Sequence, residues 1–351
     1  TVGFPKMVLH TQASYALAHL VTAKFWHDLK PTDLHWAISD TGWAKLAYGK
    51  LFGQWTVGAT VLQHNARGRF DAALTLRILE KYGVTSFCAP PTAYRMLVLE
   101  DLKKYDLREL RHCTSAGEPL NPEVMKVWQE GTGLTIYDGY GQTETVLLVA
   151  NYRCLPVKPG SMGKPIPGFQ VAILDDDGTE LPPGQEGQIA VKVKPQRPVG
   201  LFREYWKDPE AMARSFQGDW YLTGDKAYRD EDGYFWFVGR ADDVIKSAGY
   251  RIGPFEVESA LLEHSAVAES AVVASPDPMR GHIVKAFVVL KPGYVPSDEL
   301  VLSLQEHVRK TTAPYKYPRA IEFVSELPKT ISGKIRRVEL RGKESDKAAQ
   351  Q

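Results

Sequence analysis

The chain has 351 residues, 24% of them charged and 44% hydrophobic, with a formal net charge of +1. That length exceeds one ordinary core and suits two or three domains. The near-neutral charge gives no electrostatic case for nucleic acid or for an anionic membrane. Apolar runs such as residues 15–23 are short and interrupted by His19, so none spans a bilayer. Cys88, Cys113 and Cys154 are too scattered for a disulfide framework or a metal cluster and favour a reducing compartment. The nine histidines show no ligand spacing and read as core or surface residues. The chain opens TVGFPKMVLH, without an initiator Met or a signal segment, and reads as cut from something larger.

From residue 1 to about 141, short apolar strands alternate with amphipathic helices. Residues 34–38 and 84–89 read as strands. Residues 70–82 place Phe70, Leu74, Ile78 and Leu79 on one helical face. Asn121-Pro122-Glu123 is a helix start, with a capping side chain, a proline in the first turn and an acid favoured by the dipole. That helix carries Val124, Val127 and Trp128 and stops at Gly131 or Gly133. The alternation predicts an α/β layer with a largely parallel sheet. From about residue 156 to 240 glycines and prolines crowd short strands such as 188–194, which indicates a β-rich subdomain.

The stretch 232–258, DGYFWFVGRADDVIKSAGYRIGPFEVE, reads as a joint. A strand over 234–238 breaks at Gly239 into Arg240-Ala-Asp242-Asp243, and the pattern restarts with Gly249, Gly253 and Pro254. A small α+β unit follows, with a helix over 255–264, strands over 268–274 and 284–290, and a helix capped by Ser297 that reaches about Thr311. The expected division is 1–155 and 156–241 for the core, 242–340 for a small C-terminal domain, and 341–351 for a frayed tail.

Four short stretches carry chemistry. Thr1-Val-Gly3-Phe-Pro-Lys6 offers a hydroxyl, backbone N–H groups and a cation suited to a polyphosphate, although a plain turn has the same composition. In YDGYGQTE (137–144), glycines 139 and 141 allow close backbone approach, Tyr140 offers a flat face, Thr143 a hydroxyl and Glu144 a hard oxygen for Mg²⁺; an ordinary polar β-turn is the alternative. Asp225 in YLTGD can accept two hydrogen bonds from a ribose diol or simply close an Asx turn. Lys334, held in PKTISGKI, is an active-site cation or a solvated one.

In this order and spacing, TVGFPK, YDGYGQTE, YLTGD, GRADDVIKSAGYRIGPFEVE and PKTISGKIRR closely resemble the adenylate-forming superfamily of acyl-CoA synthetases, adenylation domains and luciferases, over residues 1 to about 340. ISDTGW (38–43), Gly117-Glu118-Pro119 and TAPYKYPR (312–319) look most like the medium-chain acyl-CoA synthetases. The front half of the usual phosphate loop and a large N-terminal subdomain of that family have no counterpart in these residues.

The resemblance implies a mobile C-terminal domain and a two-step reaction. ATP and a carboxylic acid give an acyl-adenylate and pyrophosphate, and the thiol of coenzyme A then displaces AMP. By the same resemblance Thr1, Gly3 and Lys6 contact the outer phosphates, Thr143 the α-phosphate and Glu144 the Mg²⁺. Tyr140 stacks on adenine, with Gly117, Glu118 and Pro119 on its other side and Asp138 nearby. Asp225 and Arg240 grip the ribose, Lys334 bridges the attacking carboxylate and the α-phosphate, and Asp242 is the hinge. Gly249 leaves room for the pantetheine arm, and Arg251 and Arg309 are candidate coenzyme A contacts or plain surface cations. Gly141 stands where acetate-specific relatives carry a Trp, so an acid longer than acetate is expected, with Trp43 a wall of the acyl tunnel or a core residue. The partners implied are small molecules: a medium-chain, branched or aromatic acid, ATP and coenzyme A. The implied setting is cytoplasm or organelle matrix. Loading of a carrier-protein thiol, luciferase-like oxidation and a non-catalytic nucleotide-binding fragment are the rival readings.

Overall fold

The computed structural model describes residues 6–39, 44–66, 70–329 and 335–349. Two compact units divide between Trp236 and Phe237, within the stretch expected to be a joint. No helix among the described residues is long and apolar enough to cross a membrane.

In the first unit a seven-stranded sheet runs in the spatial order Thr60–Val61, Leu34–Ala37, Ser86–Ala89, His112–Ala116, Ile136–Gln142, Val146–Ala150, Lys164–Pro165. The first five strands are mutually parallel and the last two antiparallel. Ser86–Ala89, His112–Ala116 and Val146–Ala150 are buried at every residue, as expected of strands covered on both faces. Trp36, Leu76, Leu79, Phe87, Tyr94, Leu97, Trp128 and Ile136 form one core cluster, and Trp26, Ala37, Cys88, Ala116, Leu147 and Ala150 another. This is the α/β layer that the alternation predicts.

Local chemistry sets the helix limits. Asp71 caps the helix Ala72–Tyr82 by accepting from the Leu74 N–H, and Gly83 ends it at φ +59°. Phe70 therefore lies outside that helix, and Leu74 is 38% exposed rather than buried with Ile78 and Leu79. The helix Pro122–Thr132 starts at the Asn121 cap with Pro122 in its first turn and ends at Gly133, φ +74°. Of the two stop signals, the later one is used. A five-stranded sheet follows, with Phe216–Gln217, Trp220–Arg229, Gly187–Lys192 and Val171–Leu174 in order; the strand that begins at Phe235 also pairs with Trp220–Arg229.

The second unit is built on Val267–Asp277, Gly281–Leu290 and Ala320–Phe323, with helices Pro254–Glu263 and Asp298–Thr311, the latter capped by Ser297. The stretch 341–351, expected to be frayed, is helical as far as Ala349, within the helix Arg337–Ala349. Tertiary contacts explain the difference. Leu340 is buried, and Glu344 accepts hydrogen bonds from Ser275 (2.8 Å) and Lys285 (2.7 Å). Composition shows the polar residues of this helix but not the partners that hold them.

Candidate nucleotide-binding site

Ile136–Gln142 and Val146–Ala150 form an antiparallel pair whose connecting turn carries Thr143 and Glu144. The turn closes through the Thr145 N–H to the Gln142 carbonyl (3.2 Å) and the Gln142 N–H to Thr145 Oγ1 (3.0 Å). The register shifts between Tyr140 and Gly141, and Val146 sits at φ +59°. A β-branched residue in the left-handed region costs about 1–3 kcal/mol and persists only where its surroundings over-determine it. A Cβ built on Gly141 would lie 1.8 Å from the Val146 carbonyl oxygen. Glycine at 141 is therefore required by backbone approach in this turn, a constraint separate from pocket size, and any side chain there must move residues 143–146.

Gln142 ties this turn to the next motif. Its Nε2 donates to the Thr223 carbonyl and to Asp225 Oδ2, both at 2.8 Å, and its Oε1 accepts from the Tyr221 hydroxyl at 3.2 Å. The Tyr140 hydroxyl donates to the same Asp225 Oδ2 at 2.6 Å. Burial and then the Asp225 charge push the Tyr140 phenol well above its ordinary pKa, so it stays a donor. Two residues of YDGYGQTE thus fix the carboxylate of YLTGD, bringing together side chains expected to face the base and the ribose.

Glu144 is gripped from the other side. The Tyr205 hydroxyl donates to Glu144 Oε1 at 2.7 Å, and the Phe202 N–H to the Glu144 carbonyl at 2.7 Å. The Lys6 ammonium lies 4.5 Å from the centre of the Tyr205 ring, so the described end of TVGFPK meets the Glu144 turn through one aromatic residue. His10 Nε2 lies 2.6 Å from the Thr143 carbonyl. A carbonyl only accepts, so Nε2 carries the proton, and Nδ1 faces Ser14 Oγ at 3.1 Å.

Gly117 follows the strand His112–Ala116 at φ +108°, and Glu118 pairs with Arg95 at 3.2 Å. Asp138 is 4% exposed, its Oδ1 has no hydrogen-bond partner among the described residues, and burial holds its carboxyl well above the usual range despite backbone N–H groups and the charge of Lys45. In this structure Asp138 is covered rather than presented to a ligand. Period-two alternation puts it on the Tyr140 face, but deeper.

The remaining expected residues lie in the second unit or outside the described residues. Arg240 ends the strand Phe235–Arg240 and is exposed, as is Asp242 in the turn after it. Asp243, not Asp242, holds the ion pair of that turn, with Arg341. Ala248 (φ +47°) and Gly249 (φ +85°) form the two-residue turn between Ile245–Ser247 and Tyr250–Ile252, a geometry that requires positive φ at both positions. A Cβ on Gly249 would meet nothing within 4 Å, so its dihedral, rather than crowding, explains the glycine. Arg251 is exposed opposite Lys246, and Arg309 lies 3.8 Å from the centre of the Tyr317 ring. Thr1, Gly3, Trp43 and Lys334 lie outside the described residues. Tyr205, His10 and Arg95 escape sequence reasoning because their partners are remote in the chain, 61 residues away for Tyr205. Gln142 stands inside a motif and was accessible there.

The first unit is thus a layered α/β unit with a Tyr140–Gln142–Asp225 cluster beside the turn that carries Glu144, and the second is a small α+β unit. The family model for AMP-binding enzymes matches residues 1–206, and that for the AMP-binding enzyme C-terminal domain matches residues 256–334. The chain belongs to the AMP-binding enzyme family. Rattus norvegicus acyl-coenzyme A synthetase ACSM3, mitochondrial, is 59% identical over 346 residues, 98% of this chain and 60% of the relative. Human acyl-coenzyme A synthetase ACSM4, mitochondrial, is 54% identical over 347 residues, with the same coverage. The crystal structure of the anthranilate CoA ligase AuaEII in complex with anthranoyl-AMP superposes with a TM-score of 0.91 at 37% identity, covering 99% of this chain and 67% of that one. The chain therefore spans about three-fifths of the length of the curated relatives it matches.

Proposed function

We propose that this protein is the nucleotide-binding and C-terminal portion of an ATP-dependent acyl-CoA synthetase. It would activate a medium-chain, branched or aromatic acid as the acyl-adenylate and pass the acyl group to coenzyme A. The observation that carries this reading is the Gln142 link, which holds the Thr143–Glu144 turn against Asp225 and Tyr140. That arrangement suits one ligand with a polyphosphate at one end and a ribose at the other. The ACSM relatives, named acyl-coenzyme A synthetases and mitochondrial, support the reaction and a mitochondrial setting.

No protein nucleophile is needed; catalysis is positioning and charge neutralisation. Asp225, pre-oriented by two donors, accepts from the ribose hydroxyls, and Arg240 is the candidate donor to the same ribose. Tyr140 supplies a ring for adenine beside Gly117, Glu118 and Pro119, and Asp138 supports this wall from beneath. Thr143 holds the α-phosphate, and Thr1, Gly3 and Lys6 the outer ones. Mg²⁺ enters with ATP as part of the substrate. A single carboxylate, Glu144, fits an ion that takes most of its ligands from phosphates and water, and no three-residue His/Cys/Asp/Glu cluster occurs among the described residues. Lys334 neutralises charge between the attacking carboxylate and the α-phosphate, charge that develops only in the transition state. Among the described residues on either side of Lys334, Arg336 N–H donates to the Pro328 carbonyl at 2.8 Å and Lys329 bridges to Ile335. Asp242 is the hinge, with no side-chain partner among the described residues. Gly249, Arg251 and Arg309 serve coenzyme A, and Trp43 and Gly141 border the acyl chain.

The test is pyrophosphate release and acyl-CoA formation with ATP, Mg²⁺, coenzyme A and straight-chain acids from acetate to dodecanoate. Lys334→Ala is expected to lower kcat for adenylation by about 10²–10³-fold, as loss of one transition-state charge partner does. Each buried methylene contributes about 0.8 kcal/mol, so preference should rise gradually with chain length. A kcat/KM maximum at acetate, or adenylation untouched by Lys334→Ala, would overturn the reading.

A further inference from the structure

Tyr205 lies on the two-residue strand Glu204–Tyr205, paired antiparallel with Val8–Leu9. Arg203 N–H donates to the Leu9 carbonyl at 2.7 Å and Trp206 N–H to that of Met7 at 2.8 Å. Residues 203–206 are therefore stitched to the segment that immediately follows Lys6. One residue earlier, Phe202 binds the Glu144 carbonyl through its backbone, while Tyr205 reaches the Glu144 carboxylate. Tyr205 is 4% exposed, and its ring packs 4.8 Å from that of Phe202 beneath the Lys6 ammonium. At 2.7 Å from a carboxylate oxygen, which only accepts, the Tyr205 hydroxyl is the donor. The bond goes to Oε1; Oε2 takes no hydrogen bond from any described residue.

We infer that Tyr205 is a positioning residue that leaves one Glu144 oxygen for the cation entering with ATP, and thereby favours a small octahedral ion over a larger one. This rests on the assignment of Glu144 as the cation ligand. Mg²⁺ binds at about 2.0–2.1 Å in near-ideal octahedral geometry and takes one or two carboxylates alongside phosphates, whereas Ca²⁺ accepts six to eight oxygens and readily takes a carboxylate through both. A phenol fixed on Oε1 opposes the two-oxygen mode and costs the one-oxygen mode little. It also fixes the carboxylate plane, as partners of metal-binding carboxylates commonly do.

The experiment is ATP binding by titration calorimetry to the chain, to Tyr205→Phe and to Glu144→Gln, each in saturating Mg²⁺, in saturating Ca²⁺ and in chelator. Tyr205→Phe keeps the ring that Lys6 and Phe202 pack on, and its unfolding midpoint without nucleotide is read in the same samples. Tyr205→His, whose ring stops short of Glu144, gives an independent second reading. Both variants are expected to narrow the Mg²⁺-over-Ca²⁺ preference about 10-fold, the lower end of the effect of removing such a partner, with chelator binding within about twofold of the parent. An unchanged preference in both, while Glu144→Gln loses cation dependence, overturns the inference and leaves the proposed function standing. Cation dependence that survives in Glu144→Gln overturns the Glu144 assignment and the inference with it.

Discussion

Acidification should unfold the first unit well before the second. His19, His27, His35 and His112 lie in the first unit and are at most 1% exposed. His35 hydrogen-bonds the Gly49 carbonyl (2.8 Å) and faces Ser86 Oγ, His112 bonds the Trp26 carbonyl (2.7 Å), and the His27 and His35 rings are 4.8 Å apart. Burial, the largest cause in each case, lowers His19, His35 and His112 to about 4, and His27 well below its ordinary value. The unfolded chain takes up these protons near the ordinary value of 6.5. Between there and about 4 the unfolded state binds more protons, so stability falls as pH falls; below about 4 the loss levels off. Each pKa unit is worth about 1.36 kcal/mol, so moving to about pH 5 removes about 2 kcal/mol for one such group, and several kcal/mol for the set, whose members repel one another once charged. That approaches the whole stability of a typical domain, about 5–15 kcal/mol. In the second unit, Glu322 and Glu344 are held low by Lys285 hydrogen bonds that outweigh the raising effect of burial, and their contribution is lost only below about 4.5. Urea unfolding followed by tryptophan fluorescence at about pH 7 and about pH 5, with hydrogen exchange to assign the units, reads the difference. A first-unit midpoint that does not move between these conditions would refute the argument. His35→Gln should flatten the pH slope by about one proton.

Arg337→Ala should destabilise the second unit by about 3–5 kcal/mol, because Glu258, 5% exposed, would keep a buried charge without its guanidinium partner. Denaturant melts of the variant and of the Glu258→Gln/Arg337→Met pair check this; the pair should recover much of the loss. Gly141→Ala should weaken ATP binding as well as lower stability, since its Cβ can be placed only by moving the turn that holds Thr143 and Glu144. Calorimetry with ATP and a thermal melt decide it, and unchanged values in both would show that the turn yields freely.

The sequence alone determined the parts whose cause is local. Whereas the start of the helix Ala72–Tyr82 at the Asp71 cap emerged only in the structure, the Asn121 and Ser297 caps, a stop at one of the glycines 131 and 133, and the apolar strands of the parallel sheet follow from side chains adjacent in the chain. So does the presence of the Tyr140, Thr143, Glu144 and Asp225 motifs, because each occupies a single turn. Tertiary structure decided which groups meet. Asp225 receives Tyr140 and Gln142 from more than eighty residues away, Glu144 receives Tyr205, and Asp243 rather than Asp242 takes the charge of Arg341. It also decided the last helix, whose polar sequence reads as a loose tail until Ser275 and Lys285 supply partners for Glu344. Local propensity is set by neighbours in the chain, whereas a buried polar side chain is fixed by whichever donor the packed sheet brings within three ångströms, and that choice is made only when the layers close.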